Sequence, residues 1–436
     1  MTSLTGQLAL HLAEKPINQA DYDAAALFTL DALANAAAGR NSPQGKVLLD
    51  WAADHELDLP RRAFLNGALT HILEVDDLHK ASVVHPGCVV VPAAWELARA
   101  RGSSGHEFLK AVLWGFEACT RVGMAVGPEH YKIWHNTATC GPFGSAAAAG
   151  SLLGLGPDQM VDALGNAGTQ SAGLWQFLET GAMSKHLHAG RGAEAGLVAA
   201  ELAVAGFTGP PEILEGSKGF FVATCPDANP GAMMADPQAP WQVHATSIKP
   251  WPSCRHTHPA IDAAREIRRW MEKEGHVAND ISTIKIMTYQ ATLDLCDRPQ
   301  PDSEYAAKFS VQHCVAAALT YPEVDFESFG PEAREAFAGL RDKIQVETSA
   351  QFEEAYPVHW GSSVTIKMGN GIVIEEARVD ALGDPEFNLP RDELIAKAEM
   401  LFHHADGDKH SGLVLQILAM AQNNPPSKID GALWHC

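Results

Sequence analysis

The sequence lacks the features that define several classes of protein. Its eight cysteines are scattered over 436 residues, and no two have C-x-x-C spacing. This distribution argues against a disulfide scaffold, a zinc ribbon or a cysteine-bound iron–sulfur cluster, and it fits a reducing cytoplasm. No run of about 18 apolar residues is present, so we expect no membrane span. The first residues lack a basic segment followed by an apolar one, so we expect no signal peptide.

Motifs for nucleotide binding and serine hydrolysis are also missing. The glycines form neither G-x-G-x-x-G after a strand nor G-x-x-x-x-G-K-[ST], and there is no G-x-S-x-G. The pairs His256/His258 and His403/His404 could bind a metal, but no H-E-x-x-H pattern or matching ligand set accompanies them. We therefore expect neither a metal nor a cofactor.

Basic residues are few overall and concentrated locally. Lys plus Arg number 32 against 53 Asp plus Glu, a formal net charge of −21. Such a chain repels nucleic acid and anionic membranes over most of its surface, so we expect neither as a partner. Positive charge gathers in two windows, 185–191 and 249–258. These windows favour a small anionic substrate, although solvated charges offsetting acidic neighbours are the alternative interpretation.

Hydrophobic periodicity divides the chain into a helical part and a mixed part. Apolar residues recur at helical spacing in successive segments up to about residue 250, and again from Arg391. Between these parts, residues 282–289, 343–349 and 363–368 alternate as half-buried strands do, and Asn370-Gly371 is typical of a hairpin turn. We predict a mainly α protein, with an all-helical domain formed by 1–248 and 391–436 and a smaller α+β domain, 249–390.

The richest cluster of ionisable side chains lies between residues 71 and 86. Within these sixteen residues the sequence places His71, Glu74, Asp76, Asp77, His79 and His85. Flanking segments are apolar, and carboxylates and imidazoles are costly to bury unless they pair. The pattern predicts proton transfer at the edge of a buried cavity. Within it, we interpret His71 and His79 as structural.

Four further segments carry candidate site residues. His135 precedes an alanine-rich helix, and His313 opens a helix of the second domain. Taken alone, either could be a structural histidine. Lys185 lies near a helix N-terminus, which together with its own charge favours a bound carboxylate. Lys249 lies at the proposed domain boundary, beside Pro250. Clefts between domains are favoured places for small-molecule sites.

At these residues the sequence resembles the MmgE/PrpD family over essentially its whole length. The matching motifs are His71…Glu74-Val-Asp76-Asp77…His85-Pro86, Lys185…His188-Ala-Gly190 and Lys249-Pro-Trp-Pro-Ser-Cys254-Arg255…His258-Pro. The resemblance implies a large helical domain, a smaller α+β lid, a homodimer, and cofactor-free chemistry on small polycarboxylates between domain and lid. Family activities include 2-methylcitrate dehydration, cis-aconitate decarboxylation and iminodisuccinate epimerisation.

The resemblance points to Glu74, His85, His135, Lys185, Lys249 and His313 as pocket residues, and the remaining site residues are our own prediction from the charged positions near them. The residues predicted to be catalytic are His85, His135, Lys185, Lys249 and His313, and those predicted to bind substrate are Glu74, Asp76, Asp77, His188, Arg255 and His256. Members acting on cis-aconitate resemble one another in having Asp, Thr and Tyr where this chain has Glu74, Leu78 and His313. This difference weakens the decarboxylase interpretation.

The shared chemistry implied is proton abstraction next to a carboxylate. Cations such as Lys185 and Lys249 would hold substrate carboxylates and stabilise the developing charge. His135 or His85 would be the base, and the other, or His313, the acid. Asp76 and Asp77 would orient His85 or anchor its loop. A dehydratase-type lyase is our leading hypothesis. The alternatives are an epimerase, a decarboxylase and a non-catalytic binding protein.

Overall fold

The computed structural model describes residues 3–406 and 411–422. These residues separate into two compact units. One contains the described residues up to Ile248 and those from Pro390 onward, and the other is Lys249–Leu389. Helices dominate the first unit, and a small sheet lies in the second. The predicted mainly α class with a smaller α+β part is confirmed.

The described residues of the first unit are mainly helical and include one short strand pair. Its helices are α1 Leu4–Glu14, α2 Gln19–Gly39, α3 Pro43–Ala53, α4 Leu59–Thr70, α5 Gly87–Arg101, α6 Gly105–Ala125, α7 Pro128–Tyr131, α8 Asn136–Leu153, α9 Pro157–Gly168, α10 Ser184–Val204, α11 Phe220–Thr224, α19 Arg391–Asp406 and α20 Ser411–Ala419. Strand β1, Leu78–His79, pairs antiparallel with β2, Thr246–Ser247.

The core of this unit is built around α8, which packs against α5, α6, α9 and α10. Small residues make the close approach of α8 and α10 possible. Ser145 Oγ donates to the Gly192 carbonyl at 2.6 Å. A Cβ at Gly196 would lie 2.1 Å from Ser145 Oγ. Because Gly192 and Gly196 carry no side chains, α10 packs closely against α8, and this packing fixes the position of α10.

The C-terminal helices complete the same unit, since α19 and α20 both pack on α2. Lys397 of α19 donates to Asp31 Oδ1 at 2.5 Å and to the Val75 carbonyl at 2.7 Å. All three residues are buried. Helix α19 therefore anchors the segment of ionisable residues between α4 and α5.

That segment, residues 71–86, begins earlier than helical periodicity suggested. The periodicity predicts a helix from Arg61 to Glu74, but α4 ends at Thr70 with His71 as its C-cap. Glu74 adopts a left-handed backbone conformation, with φ of 61°. Such a conformation is uncommon for residues other than glycine and cannot continue a helix. The chain turns away there, which places the following acids and His85 in a loop.

The second unit is an α+β unit with a four-stranded sheet. Its strands are β3 Ile281–Thr288, β4 Ile344–Thr348, β5 Ser362–Met368 and β6 Val373–Arg378, in the order β4-β3-β5-β6. Its helices are α12 His258–Glu274, α13 Gln290–Cys296, α14 Glu304–Lys308, α15 Val311–Thr320, α16 Pro331–Ala336, α17 Ala338–Arg341 and α18 Ala350–Ala355. The hairpin between β5 and β6 is confirmed, and Gly371 takes φ of 93° in its turn.

The described residues bear on the expectations about membrane spans and cysteines. In that part of the chain, no helix combines the length and the apolar character that a bilayer crossing requires. The seven cysteines there are free thiols.

Candidate active site

Four histidines converge in the first unit, and we call them the imidazole cluster: His71, His85, His135 and His188. The ring centroids of His71 and His85 lie 4.6 Å apart, edge to face. Those of His71 and His135 lie 5.6 Å apart, stacked. Nδ1 of His135 lies 3.3 Å from Nδ1 of His188. Three of the four were predicted as site residues, whereas His71 was interpreted as structural and is in fact at the centre of the cluster.

Three separate segments bring these rings together. His71 and His85 bracket the loop between α4 and α5, and His188 lies in the first part of α10. His135 is the N-cap of α8, and its N–H donates to the Gly173 carbonyl at 3.0 Å. The indole of Trp175 lies 4.6 Å from the His135 ring. The close packing of α10 on α8 thus determines the distance from His188 to His135.

Carboxylates orient the two loop imidazoles. Asp76 Oδ2 lies 2.6 Å from Nδ1 of His71 and 3.5 Å from Nδ1 of His85. Nδ1 of His85 donates to the Asp77 carbonyl at 2.5 Å. Because a carbonyl only accepts, the proton of a neutral His85 is on Nδ1, and the lone pair is on Nε2. The Asp77 carboxylate accepts from the Gly87 N–H at 3.0 Å through both oxygens, which fixes the start of α5.

A buried ion pair lies beside the cluster. Lys185 Nζ donates to Glu74 Oε1, and both side chains are almost fully buried. Lys185 lies in the first turn of α10, because the helix begins at Ser184 and not after Arg191. The ammonium therefore has both a carboxylate partner and the positive end of a helix close by. A bound anionic group would find a preformed cationic centre there.

Burial keeps several of these groups uncharged. It lowers the pKa of His135 well below its ordinary value, and electrostatic interactions with His71 and Lys185 lower it further. Burial likewise lowers the pKa of His188 to about 4 and that of His186 to about 3. The pKa of Asp77 is raised well above its usual range, first by burial and then by Asp76 and Asp31. At neutral pH, His135 and His188 are consequently neutral and able to accept a proton.

Buried polar atoms without partners surround the cluster. Among the described residues, buried side-chain atoms with no hydrogen-bond partner include His71 Nε2, Asn136 Oδ1, Trp175 Nε1 and His186 Nδ1. An unsatisfied buried polar group costs about 1–3 kcal/mol. Four such atoms in one neighbourhood fit a site that a polar ligand completes. Asn136 lies in the segment around His135 that the sequence analysis singled out, but it was not named as a site residue, and Trp175 was not predicted.

Comparison with known proteins agrees with the architecture. Residues 6–233 match the MmgE/PrpD N-terminal domain, and residues 251–416 match the MmgE/PrpD C-terminal domain. This chain belongs to the MmgE/PrpD family. A cis-aconitate decarboxylase of Aspergillus terreus is 27% identical over 366 residues, covering 78% of this chain and 74% of the relative. A human cis-aconitate decarboxylase is 28% identical over 323 residues, covering 70% and 65%.

A relative with a different activity is similar as well. A mitochondrial 2-methylcitrate dehydratase of Yarrowia lipolytica is 24% identical over 350 residues, covering 75% of this chain and 66% of the relative. The comparisons therefore establish the family, whose relatives named here catalyse two different reactions, decarboxylation and dehydration.

In this MmgE/PrpD protein, two of the predicted cationic residues belong to the second unit. Lys249 begins that unit and is 1% exposed. Arg255 forms a buried ion pair with Asp384 and donates to the Leu382 carbonyl at 3.2 Å. The Arg255 guanidinium thus ties two segments of the unit together. Its predicted contact with substrate stays a prediction.

The two predicted histidines of the second unit are also buried. Nδ1 of His256 lies 2.7 Å from the Tyr289 hydroxyl, and the ring stacks on Trp360 at 4.4 Å. Nε2 of His313 lies 2.8 Å from the Ser328 carbonyl, and its Nδ1 lies 3.3 Å from Arg341 Nη1. Burial lowers the pKa of His256 to about 3 and that of His313 to about 4. Both rings are neutral at physiological pH, and their catalytic roles stay predictions.

One group of possible metal ligands lies within the site of this family member. Ligand atoms of His71, Asp76 and Cys88 lie within 4.8 Å of one another. They are, however, engaged in hydrogen bonds, since Cys88 Sγ donates to the His85 carbonyl at 3.2 Å and His71 bonds Asp76. Burial raises the pKa of the Cys88 thiol well above its usual range, and a protonated thiol is a poor ligand. The expectation of a metal-free site therefore stays our prediction.

Proposed function

We propose that this protein is a cofactor-independent lyase that abstracts a proton next to a carboxylate of a small di- or tricarboxylate. The observation that carries the proposal is the position of His135. It is a buried, neutral imidazole within the cluster, and Lys185 is close enough to lower its pKa further. A neutral base near a cation suits the removal of a weakly acidic proton, since the cation stabilises the negative charge that develops.

The proposed steps assign one role to each group. Lys185 attracts a substrate carboxylate, in exchange for part of its interaction with Glu74. His135 accepts the proton from the neighbouring carbon, and the C–H electron pair moves into the new double bond. His85 enters this step as an imidazolium beside the Asp76 carboxylate, keeps its Nδ1 proton on the Asp77 carbonyl, and donates its Nε2 proton to the departing hydroxyl. The products are an alkene and water, and the protons gained and lost by the two imidazoles balance.

Dehydration is the leading reaction in this proposal. The 2-methylcitrate dehydratase of Yarrowia lipolytica supports it, and so does the presence of Glu74 and Leu78 where cis-aconitate-acting members are expected to differ. Decarboxylation is the second candidate, favoured by the similarity to the decarboxylases of Aspergillus terreus and human. Both reactions pass through negative charge next to a carboxylate, so the same Lys185 would serve either.

The test is a substrate panel in deuterated water. We would incubate the protein with 2-methylcitrate, citrate, cis-aconitate and an imino-dicarboxylate and follow ultraviolet absorbance, carbon dioxide release and deuterium incorporation. New alkene absorbance without carbon dioxide supports dehydration, and carbon dioxide release supports decarboxylation. Deuterium uptake with retained substrate formula would indicate an epimerase. No turnover, together with no rise in melting temperature, would indicate that the lyase proposal is wrong.

Two broader features belong to the same proposal. We propose a homodimer, as the family resemblance implies, and a cytoplasmic protein, which the free thiols of Cys88, Cys119 and the other described cysteines support. Light scattering of the purified protein tests the first. Fractionation of cells expressing the tagged chain tests the second.

A further inference from the structure

His71, whose ring lies against the buried Asp76 carboxylate, is not among the residues assigned to the reaction above. Nδ1 of His71 lies 2.6 Å from Asp76 Oδ2, and both side chains are at most 1% exposed. An ionised carboxylate only accepts, so the Nδ1 atom of His71 carries its proton. When His71 is neutral, its other nitrogen, Nε2, therefore presents a lone pair. A buried carboxylate behind an imidazole is the arrangement that orients proton-transferring histidines and stabilises their charged form.

Hydrogen bonding at the second ring nitrogen, Nε2, distinguishes His71 from a structural histidine. Nε2 is buried and has no hydrogen-bond partner among the residues that the structure describes. The nearby histidine of the same loop, His79, differs sharply. Its Nδ1 lies 2.8 Å from Ser82 Oγ, and its Nε2 lies 3.0 Å from Gln242 Oε1. A histidine kept only for structure is satisfied as His79 is, whereas His71 retains a free proton acceptor in the interior.

The surroundings of His71 are other proton-carrying groups. Its ring lies 4.6 Å from that of His85 and 5.6 Å from that of His135. The titratable groups around it come from the loop, α5, α8 and α10, namely Asp76, His85, Cys88, His135, His186 and His188. Positive charge on His71 lowers the pKa of His135, His186 and His188. A proton held by His71 thus discourages a second proton nearby.

We propose that the Asp76–His71 pair stores the proton that the imidazole cluster exchanges with the substrate. This inference rests on the proposed lyase function and deepens it. His135 takes a proton as the substrate C–H bond breaks. A water molecule or polar substrate group bound at the open Nε2 position of His71 carries the proton to that nitrogen, and His71 becomes an imidazolium paired with Asp76. The same proton then returns through His85 to the leaving oxygen, so none is gained or lost in the cycle. His71 acts through its neighbours and is a positioning residue for the proton.

Two substitutions and a matched control test this role. His71→Asn keeps a donor toward Asp76 but removes the Nε2 acceptor, and Asp76→Asn removes the stabilising charge. We expect each to lower kcat by about 100-fold with KM within about threefold, as loss of acid–base assistance does. His79→Asn makes an equivalent change at an equally buried histidine, and its kcat should stay within threefold. The pH profile of kcat should change shape in the first two variants and be unchanged in His79→Asn.

A measurement independent of turnover keeps the two proposals separate. In proton NMR spectra of protein labelled with nitrogen-15 at its histidines, wild type should show a strongly downfield signal from the His71 Nδ1 proton. This signal should disappear in Asp76→Asn. If wild type turns over no polycarboxylate yet shows this proton, the lyase proposal fails while the charged pair stands. If His71→Asn retains kcat within threefold and the same pH profile, the proton store is wrong. Should His71→Asn fail to fold, Asp76→Asn decides by the same kinetic criteria.

Discussion

Lys185 and Glu74, separated by 111 positions in sequence, form a buried ion pair beside the imidazole cluster. The pair joins the first turn of α10 to the loop after α4. Glu74 takes a left-handed backbone conformation there, which is uncommon for a residue with a side chain. The packing around this residue holds its uncommon backbone conformation in place. A substrate carboxylate would compete with the Glu74 carboxylate for the buried ammonium of Lys185.

The first prediction concerns this pair. Glu74→Gln removes the carboxylate that pairs with the buried Lys185 ammonium, so we expect about 3 kcal/mol less unfolding free energy. A polycarboxylate that binds Lys185 should then raise the melting temperature more in the variant than in wild type. Thermal unfolding with and without the ligand measures both effects. The double variant Glu74→Gln/Lys185→Met should recover stability but not activity. Equal ligand-induced shifts of the melting temperature in Glu74→Gln and wild type would contradict the idea that a substrate carboxylate replaces Glu74 at Lys185.

The second prediction concerns the proposed base. Replacing His135 by Gln removes the proton acceptor while keeping a polar group at the start of α8, and kcat should fall by about 100-fold to 10,000-fold. His106→Gln is the control, because this half-buried ring stacks on Tyr22 at 4.3 Å and is not part of the cluster. Steady-state kinetics on an active substrate measures both variants. A His135→Gln enzyme with kcat within threefold of wild type would remove His135 from the mechanism.

The third prediction concerns stability at acid pH. Burial lowers the pKa of His79 to about 4 and that of His186 to about 3. Each is protonated in the unfolded chain near pH 6.5, the ordinary value, but in the folded protein only near pH 3 to 4. Their contribution to the unfolding free energy is therefore complete above pH 6.5. It is lost as the pH falls from about 6.5 toward 4, because the unfolded chain binds the protons first. Denaturant unfolding at pH 7.5 and pH 5 should show the loss.

A single-residue comparison isolates this effect. His186→Gln should flatten the pH dependence, whereas His55→Gln, at an exposed position, should leave it unchanged. Identical slopes in wild type and His186→Gln would show that this histidine does not contribute to the acid sensitivity.

The fourth prediction concerns the approach of α8 and α10. A Cβ at Gly196 would lie 2.1 Å from Ser145 Oγ and 2.3 Å from the Ala146 nitrogen, so the helices must separate to admit it. Gly196→Ala should lower the unfolding free energy by about 1–3 kcal/mol. It should also lower activity, because His188 and Lys185 lie on the displaced helix. Gly412→Ala in α20, where nothing lies within 4 Å, is the matched control and should be neutral or slightly stabilising.

Much of the fold follows from local sequence patterns. Alternation predicted β3, β4 and β5, and the Asn370-Gly371 turn predicted the β5–β6 hairpin, because strand periodicity and turn chemistry are properties of a few neighbouring residues. The end of α4 was not predictable in this way. Apolar spacing continues past Thr70, but the chain turns at Glu74 in a left-handed conformation, and the Glu74 side chain pairs with Lys185, 111 positions away in sequence.

The candidate site was likewise predictable from the sequence only in part. The sequence by itself determined the family, the helical class and the segments that carry chemistry, since residue types and their spacing are written in the chain. Only the tertiary structure decided that His71 contacts His85 and His135, and that Asp76 lies behind His71. Distances of a few ångströms between residues far apart in sequence arise from helix packing, such as that of α10 on α8. Local patterns carry no information about them.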